Sequence, residues 1–450
     1  MSVLTKPLKI SRLFSLMTAL FATATIAATE PTPLDRFING FPMQLEKETR
    51  NADYNELFSG GDASTYFNMR VSEFLPTAIL PSRQGVMALA KAPMPAIGKV
   101  KADMMSVSKL KGPLSLDQFL EQASFAQGFL VVHQGKIVYE KYPRIRQEDH
   151  HLWMSCAKPM ASLVIDQLIS EGKIDQHKPI TTYLPDFKGT SWDGVTTRDV
   201  MDMATGMDIE DTTESRFDPN NIARRVYESE FGFENKTRGV ENLRDVLRST
   251  PKKDEPGLAF NYASGLTQML VILAEEVEQD RWAQIFDRRV WSKVGAEGAL
   301  QLHLTPDGIA AVHGLVSSNL RDFARFGMLY TPSWQKIATE QVVSKEILDR
   351  IHSEVRSHEF IMAGFDGPVF ADRVGTDDFI ANSRQWDLVW PDGDLMKFGL
   401  MGQGLYVSPT RDLVIVYFNV NNEDLSAHRF VRPIATSGLF DKQQPKVNPQ

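Results

Sequence analysis

A serine and a lysine three residues apart carry the first chemistry legible in this chain. They are Ser155 and Lys158, in Trp153-Met154-Ser155-Cys156-Ala157-Lys158-Pro159-Met160. A serine hydroxyl is a weak nucleophile until a base takes its proton. On a helix, a lysine three positions on lies on the same face, one turn away. Desolvation lowers its pKa, so the neutral amine can serve as that base. A helix N-terminus adds a field that favours a developing oxyanion. Spacing alone does not select the site, because it recurs at Ser106/Lys109, Ser108/Lys111, Ser170/Lys173, Ser249/Lys252 and Ser333/Lys336. Two features single out Ser155. Met160, Leu163, Val164 and Leu168 follow at helical spacing, with Gly172 as a stop signal. Pro159 fits only where a helix has just begun, because proline lacks the N–H that later turns need. The competing reading makes Lys158 a surface lysine on a core helix.

A second segment, Pro256-Gly257-Leu258-Ala259-Phe260-Asn261-Tyr262-Ala263-Ser264, precedes a helical run over 266–277. A tyrosine at a helix start can reach into a cleft, and a phenol beside a lysine can shuttle protons. The plainer reading of Tyr262 is a half-buried structural tyrosine. Other constellations are weaker. Cys156 is the one cysteine, so no intramolecular disulfide forms. Its place inside the Ser155 motif favours a structural role over a reactive thiol. Asp149, His150 and His151 suggest a metal, yet no H-E-x-x-H or Cys-His framework accompanies them. They read as a polar loop, and neither metal nor cofactor is expected. No G-x-S-x-G elbow surrounds any serine, which leaves a Ser-His-Asp triad unsupported.

These residues need elements to hold them. Ser115-Leu116-Asp117-Gln118-Phe119-Leu120 reads as a capped helix. Phe129-Leu130-Val131-Val132 and Lys136-Ile137-Val138-Tyr139 flank Gln134-Gly135 and predict a hairpin. Residues 155–310 are mostly helical in pattern. Segments 404–408 and 413–420 predict a second hairpin around Pro409-Thr410-Arg411-Asp412, and the tail from Asn422 a closing helix. Strands at both ends and helices between them predict one sheet built from distant segments, with a helical insertion. From 29 to about 110, prolines and glycines break the periodicity, so an irregular extension packed on the catalytic body is expected. The implied division is 1–28, 29–110 and 111–445. In the last, 111–154 and 311–445 form the α/β part and 155–310 the helical part.

The bulk properties narrow the class. With 42% apolar and 24% charged residues over 450 positions, the chain can bury a large core. A net charge of −8 without a basic run makes nucleic acid an unexpected partner. Lys6, Lys9 and Arg12 precede an apolar stretch over 13–28 that ends in small residues. That is the pattern of a bacterial secretory signal peptide, and it predicts a periplasmic or secreted protein. A membrane anchor or buried helix is the alternative for the same stretch. No other stretch approaches the roughly 18 apolar residues of a bilayer span.

Taken together, the motifs resemble those of the β-lactamase-related serine hydrolases, near the 6-aminohexanoate-dimer hydrolase and class C-type esterase branch. The resemblance runs from about 125 to 420. It rests on the 131–140 hairpin, on Ile174-Asp175 through Tyr183-Leu184-Pro185-Asp186-Phe187, and on Thr197 to Gly206. It continues through Tyr262-Ala263-Ser264 at the Y-x-N/S motif, Ser317 to Gly327, Gly402-Gln403-Gly404 and Asp412 to Val416. It implies an α/β (α+β) fold of the β-lactamase/transpeptidase type. An antiparallel sheet flanked by helices is joined to an all-α domain, with the site between them. It also implies an acyl-enzyme on Ser155, protons handled by Lys158 and Tyr262, and a small-molecule ester or amide substrate. The oxyanion and substrate-binding set would be Ser155, Ser264, Lys397, Gly399 and Leu400. Penicillin-recognising members carry K-T-G on the last of these strands. Here Lys397-Phe398-Gly399 lacks the hydroxyl, which favours an esterase or amidase. A D-alanyl-D-alanine peptidase or β-lactamase is the alternative, and a non-catalytic binding protein on the same fold a second. Lys397 also reads as a surface lysine.

Overall fold

The computed structural model describes residues 41–440, residue 53 excepted. The segment 1–28, expected above to be a signal peptide, lies outside the described residues. At the centre is an eight-stranded sheet in the order 381–383, 386–389, 395–399, 403–408, 413–419, 126–133, 136–141, 90–91. Its pairs are antiparallel except the last, where Ala90–Lys91 runs parallel to Lys136–Lys141. The strand Leu413–Asn419 pairs directly with Ala126–His133, so distant ends of the chain close the sheet. Those strands are rich in Val, Ile, Phe and Tyr and are buried on both faces.

Helices cover the sheet. Leu116–Gln122 starts at a capping box in which Ser115 and Gln118 satisfy each other's backbone N–H. Leu320–Met328 starts at Asn319, whose side chain accepts from the Asp322 N–H. A Cβ on Gly327 would come within 2.8 Å of Val414 Cγ1, so glycine lets this helix lie close on the strands. Pro159–Ser170 packs against Ser264–Glu278 in the helical region. Buried Asp166 on the first of these ion-pairs with Arg350 on helix Lys345–Ser353 and with Arg384 in the turn between strands 381–383 and 386–389.

The structure departs from the sequence-based expectation in the N-terminal segment and adds elements in two other regions. The 41–110 segment is not irregular throughout: it holds helices Met43–Asn51 and Gly61–Arg70 and strand Thr77–Leu80. Gly60 and Gly61, with φ of 101° and 81°, lead into a helix here, and Pro76 and Pro81 flank the strand without interrupting it. Within 155–310, Leu300–His303 is a strand. It joins a second, antiparallel sheet with Thr77–Leu80, Val316–Ser318 and His151–Leu152. Within 311–445, helices Lys345–Ser353, His358–Ala363 and Asp366–Val374 precede the last strands.

Candidate active site

The second sheet delivers the nucleophile turn. His151–Leu152 pairs with Val316–Ser318, and the Trp153 N–H donates to the Val316 carbonyl at 2.8 Å. The Trp153 indole is fully buried against Phe323 and Phe326, with its N–H donating to Ser318 Oγ at 3.0 Å. Met154 then takes φ of 50°, a left-handed conformation that costs a side-chain-bearing residue about 1–2 kcal/mol. That sharp turn places Ser155 in the 3-10 turn Met154–Ala157, which runs into helix Pro159–Ser170.

Lys158 is 0% exposed, and Ser155 is half-buried beside it. The surface-lysine reading of Lys158 is therefore wrong. Its Nζ lies 3.2 Å from Ser155 Oγ, 3.0 Å from Ser264 Oγ and 2.8 Å from the His313 carbonyl. Burial, and then the nearby Lys397 charge, lower its pKa to about 7. A neutral amine here can donate to Ser264 and the His313 carbonyl while its lone pair accepts the Ser155 proton.

Tyr262 closes the other side of Ser155, to which its phenol is hydrogen-bonded. Burial pushes that phenol well above its ordinary range, so it stays protonated near neutrality. Lys158 Nζ sits 5.2 Å and Lys397 Nζ 4.6 Å from its ring centre. The Asp211 N–H donates to the Tyr262 carbonyl at 2.8 Å, and the Asp211 carboxylate accepts from the Ser264 N–H at 2.9 Å. The segment around Asp211 thus fixes the loop carrying both Tyr262 and Ser264. Ser264 stands beside Lys158, and its hydroxyl donates to the Tyr227 phenol oxygen at 3.2 Å.

Lys397 is 0% exposed and ion-paired to Asp387, which also accepts the Phe398 N–H at 2.9 Å. That excludes the surface reading of Lys397 as well. Gly399 ends the strand against the nucleophile turn: a Cβ there would lie 2.9 Å from the Trp153 carbonyl and 2.7 Å from Gln403 Cβ. Leu400 follows and shares a pocket wall with Ser155. Cys156 is fully buried, its thiol donating to the Lys397 carbonyl at 3.3 Å. Burial pushes that thiol far up, so it stays protonated and ties the turn to the strand. Asp149 is bound by Arg146, and His151 is buried in a stack on Phe418. Among the described residues no group of three or more His, Cys, Asp or Glu is placed to hold a metal.

Sequence reasoning missed much of the pocket wall. Phe58, Arg216, Tyr227, Phe231, His313 and Leu315 line the cleft with Ser155. The His313 ring is held at 2.8 Å by buried Glu230, and the Tyr227 phenol donates to Asp211 at 2.8 Å. The 208–240 segment belonged to no motif, and Phe58 arrives from the N-terminal segment, so neither carried a local signal.

Residues 116–432 match the family model described as Beta-lactamase. A 6-aminohexanoate-dimer hydrolase of Paenarthrobacter ureafaciens is 27% identical over 351 residues, covering 77% of this chain and 83% of that protein. A Bacillus anthracis structure, provisionally described as a 6-aminohexanoate-dimer hydrolase, superposes with a TM-score of 0.67 at 21% identity. It covers 86% of this chain and 94% of its own. EstCE1, described as a hydrolase with promiscuous acyltransferase activity, has a TM-score of 0.51 at 14% identity, over 71% and 94% of the two chains. At these identities the two structures establish the fold: a mixed α/β β-lactamase/transpeptidase-like arrangement with an antiparallel sheet and helices.

Proposed function

The chain belongs to the Beta-lactamase family of serine hydrolases, and from that premise we propose that it cleaves a small amide or ester through an acyl-enzyme on Ser155. The observation that carries this reading is the buried Lys158 amine, 3.2 Å from Ser155 Oγ and with a pKa near 7. Lys158 takes the Ser155 proton as Oγ attacks the carbonyl carbon. The resulting oxyanion is held by the backbone N–H of Ser155 and one from the Gly399-Leu400 end of the strand. Such donors contribute about 2.7–4 kcal/mol of transition-state stabilisation each. The tetrahedral intermediate collapses as its leaving atom receives a proton through Tyr262 and Lys158. Water then attacks the ester carbonyl, gives its proton to the same pair, and releases Ser155.

The 6-aminohexanoate-dimer hydrolase likeness supports a linear amide, and EstCE1 supports an ester. The apolar wall of Phe58, Phe231, Leu315 and Leu400 suits an alkyl or aryl acyl group. Phe398 in place of a hydroxyl argues against penicillin recognition. The test is a panel of short p-nitrophenyl esters, linear amides and a chromogenic cephalosporin, run on wild type and Ser155→Ala. Ser155-dependent turnover of esters or amides supports the reading. Cephalosporin turnover alone would replace it with a β-lactamase. Export of the protein is proposed from the 1–28 segment. N-terminal sequencing of protein from fractionated cells checks it, with a start near residue 29 expected and an intact Met1 contradicting it.

A further inference from the structure

A neutral Lys158 amine has a single lone pair, and it serves Ser155 only while no other hydroxyl holds it. The rival is Ser264 Oγ, at 3.0 Å from Nζ against 3.2 Å for Ser155 Oγ. A hydroxyl rotates to suit its partners, so where the Ser264 proton goes decides whether the amine can act as a base.

Ser264 opens helix Ser264–Glu278, so no preceding helical turn offers its hydroxyl a carbonyl. The hydroxyl meets the Tyr227 phenol oxygen at 3.2 Å. Tyr227 has one proton to give, and the Asp211 carboxylate takes it at 2.8 Å. A carboxylate only accepts, which sets the sense of the whole string. Lys158 donates to Ser264, Ser264 to Tyr227, and Tyr227 to Asp211. Asp211 is itself held, because the same Oδ2 accepts from the Ser264 N–H at 2.9 Å and its own N–H is bound by the Tyr262 carbonyl. Ser264, Tyr227 and Asp211 are 2%, 7% and 8% exposed, so solvent is a poor substitute for any link. The second amine hydrogen goes to the His313 carbonyl at 2.8 Å. On a tetrahedral nitrogen, that leaves the Ser155 direction for the lone pair.

We infer that Tyr227 is a positioning residue for the proposed Ser155 chemistry, on which its role rests: by accepting the Ser264 proton and passing its own to Asp211, it keeps Ser264 an acceptor and aims the Lys158 lone pair at Ser155. Removing the Tyr227 hydroxyl turns the Ser264 proton back to Nζ. The neutral amine then gains a donor and is blocked as a base, while the ammonium leaves the Ser264 proton without an acceptor. Charges face Lys158 from strand 395–399 (Lys397), from strand 386–389 (Asp387) and from the segment leading through helix Thr213–Phe217 (Asp211 and Arg216). Tyr262 presents its ring, Cys156 a protonated thiol, and Glu230 is engaged by the His313 ring. Tyr227→Phe alters none of these charges, so a change in the Lys158 titration reports on the string.

The test is kcat/KM for p-nitrophenyl butyrate against pH in wild type, Tyr227→Phe, Ser264→Ala and the double variant. Tyr227→Phe should lower the high-pH plateau about tenfold, the worth of one hydrogen bond. It should also move the midpoint of the ascending limb down by about one pH unit, because the ammonium loses more than the neutral amine. Loosened packing that admits water would move the midpoint up, toward an ordinary lysine. That result, or an unchanged profile, overturns the inference. With the Ser264 hydroxyl gone the string is already cut, so adding Tyr227→Phe to Ser264→Ala should change kcat/KM by less than about twofold. An equal effect of Tyr227→Phe in both backgrounds overturns the inference. The Lys158 titration is read without turnover from the Cε resonances of isotope-labelled lysine, assigned with Lys158→Ala. A lower midpoint in Tyr227→Phe supports the string, and an equal or higher one contradicts it. Wild type that hydrolyses the ester no faster than Ser155→Ala defeats the Ser155 chemistry, and the resonance titration then decides the string by itself.

Discussion

Lys158 is the residue whose environment decides the chemistry. An ordinary lysine is almost wholly protonated at pH 7 and cannot take a proton from serine. Burial inverts this by penalising the charged form, and the neighbouring Lys397 adds to it. Because the neutral amine is the active form, kcat/KM should rise with pH and level off, with a midpoint near 7. A pH–rate profile with a neutral ester checks the sign, and activity that falls through that range would contradict it. Tyr262 acts as the protonated partner, so Tyr262→Phe should lower kcat/KM by about 10²–10⁴ and leave the ascending limb in place. The serine, lysine and tyrosine were legible in the sequence because each sits in a short motif beside a helix start. The burial of Lys397 was not, because its partner Asp387 is ten residues away on the neighbouring strand. His313 was not, because only its carbonyl oxygen meets Lys158.

At the scale of elements, the site is a meeting of one turn, one loop and one strand end. Gly399 sits where the strand touches the turn, and the space for a methyl is filled by the Trp153 carbonyl and Gln403. Gly399→Ala should displace the strand end and lower kcat by about 10²–10³, the cost of one oxyanion donor. Steady-state kinetics beside a thermal melt separates this from unfolding. Asp166 ties the nucleophile helix to Arg350 and Arg384. Asp166→Ala leaves Arg384 buried without that carboxylate and should cost about 3–5 kcal/mol in urea unfolding. The nucleophile helix and both hairpins were readable from Pro159, Gly135 and alternating apolar residues. The helix at Gly61–Arg70 was not, because Gly60-Gly61 has the composition of a break and serves here as an entry turn.

Across the whole molecule, the N-terminal segment is part of the site. Leu57, Phe58, Phe67 and Val71 share a buried cluster with Leu152, Met154, Tyr227, Leu315 and Met401, gathered around the nucleophile turn. The Phe67 ring is fully buried and edge-on to Phe58 and Phe74, so Phe67→Ala should destabilise the fold by about 3–5 kcal/mol. Phe58 lines the pocket itself, and Phe58→Ala should shift selectivity toward longer acyl chains in a p-nitrophenyl ester series. The order of motifs along some 300 residues foretold the sheet and its helical insertion. The pocket wall was illegible because its residues come from segments brought together only by long-range packing. The expectations about activity depend on Ser155 being the nucleophile, and the most direct test is intact-mass analysis after treatment with a fluorophosphonate probe. A single adduct on wild type, absent in Ser155→Ala and formed much more slowly in Lys158→Ala, is the result predicted. Labelling that survives Ser155→Ala would contradict the assignment.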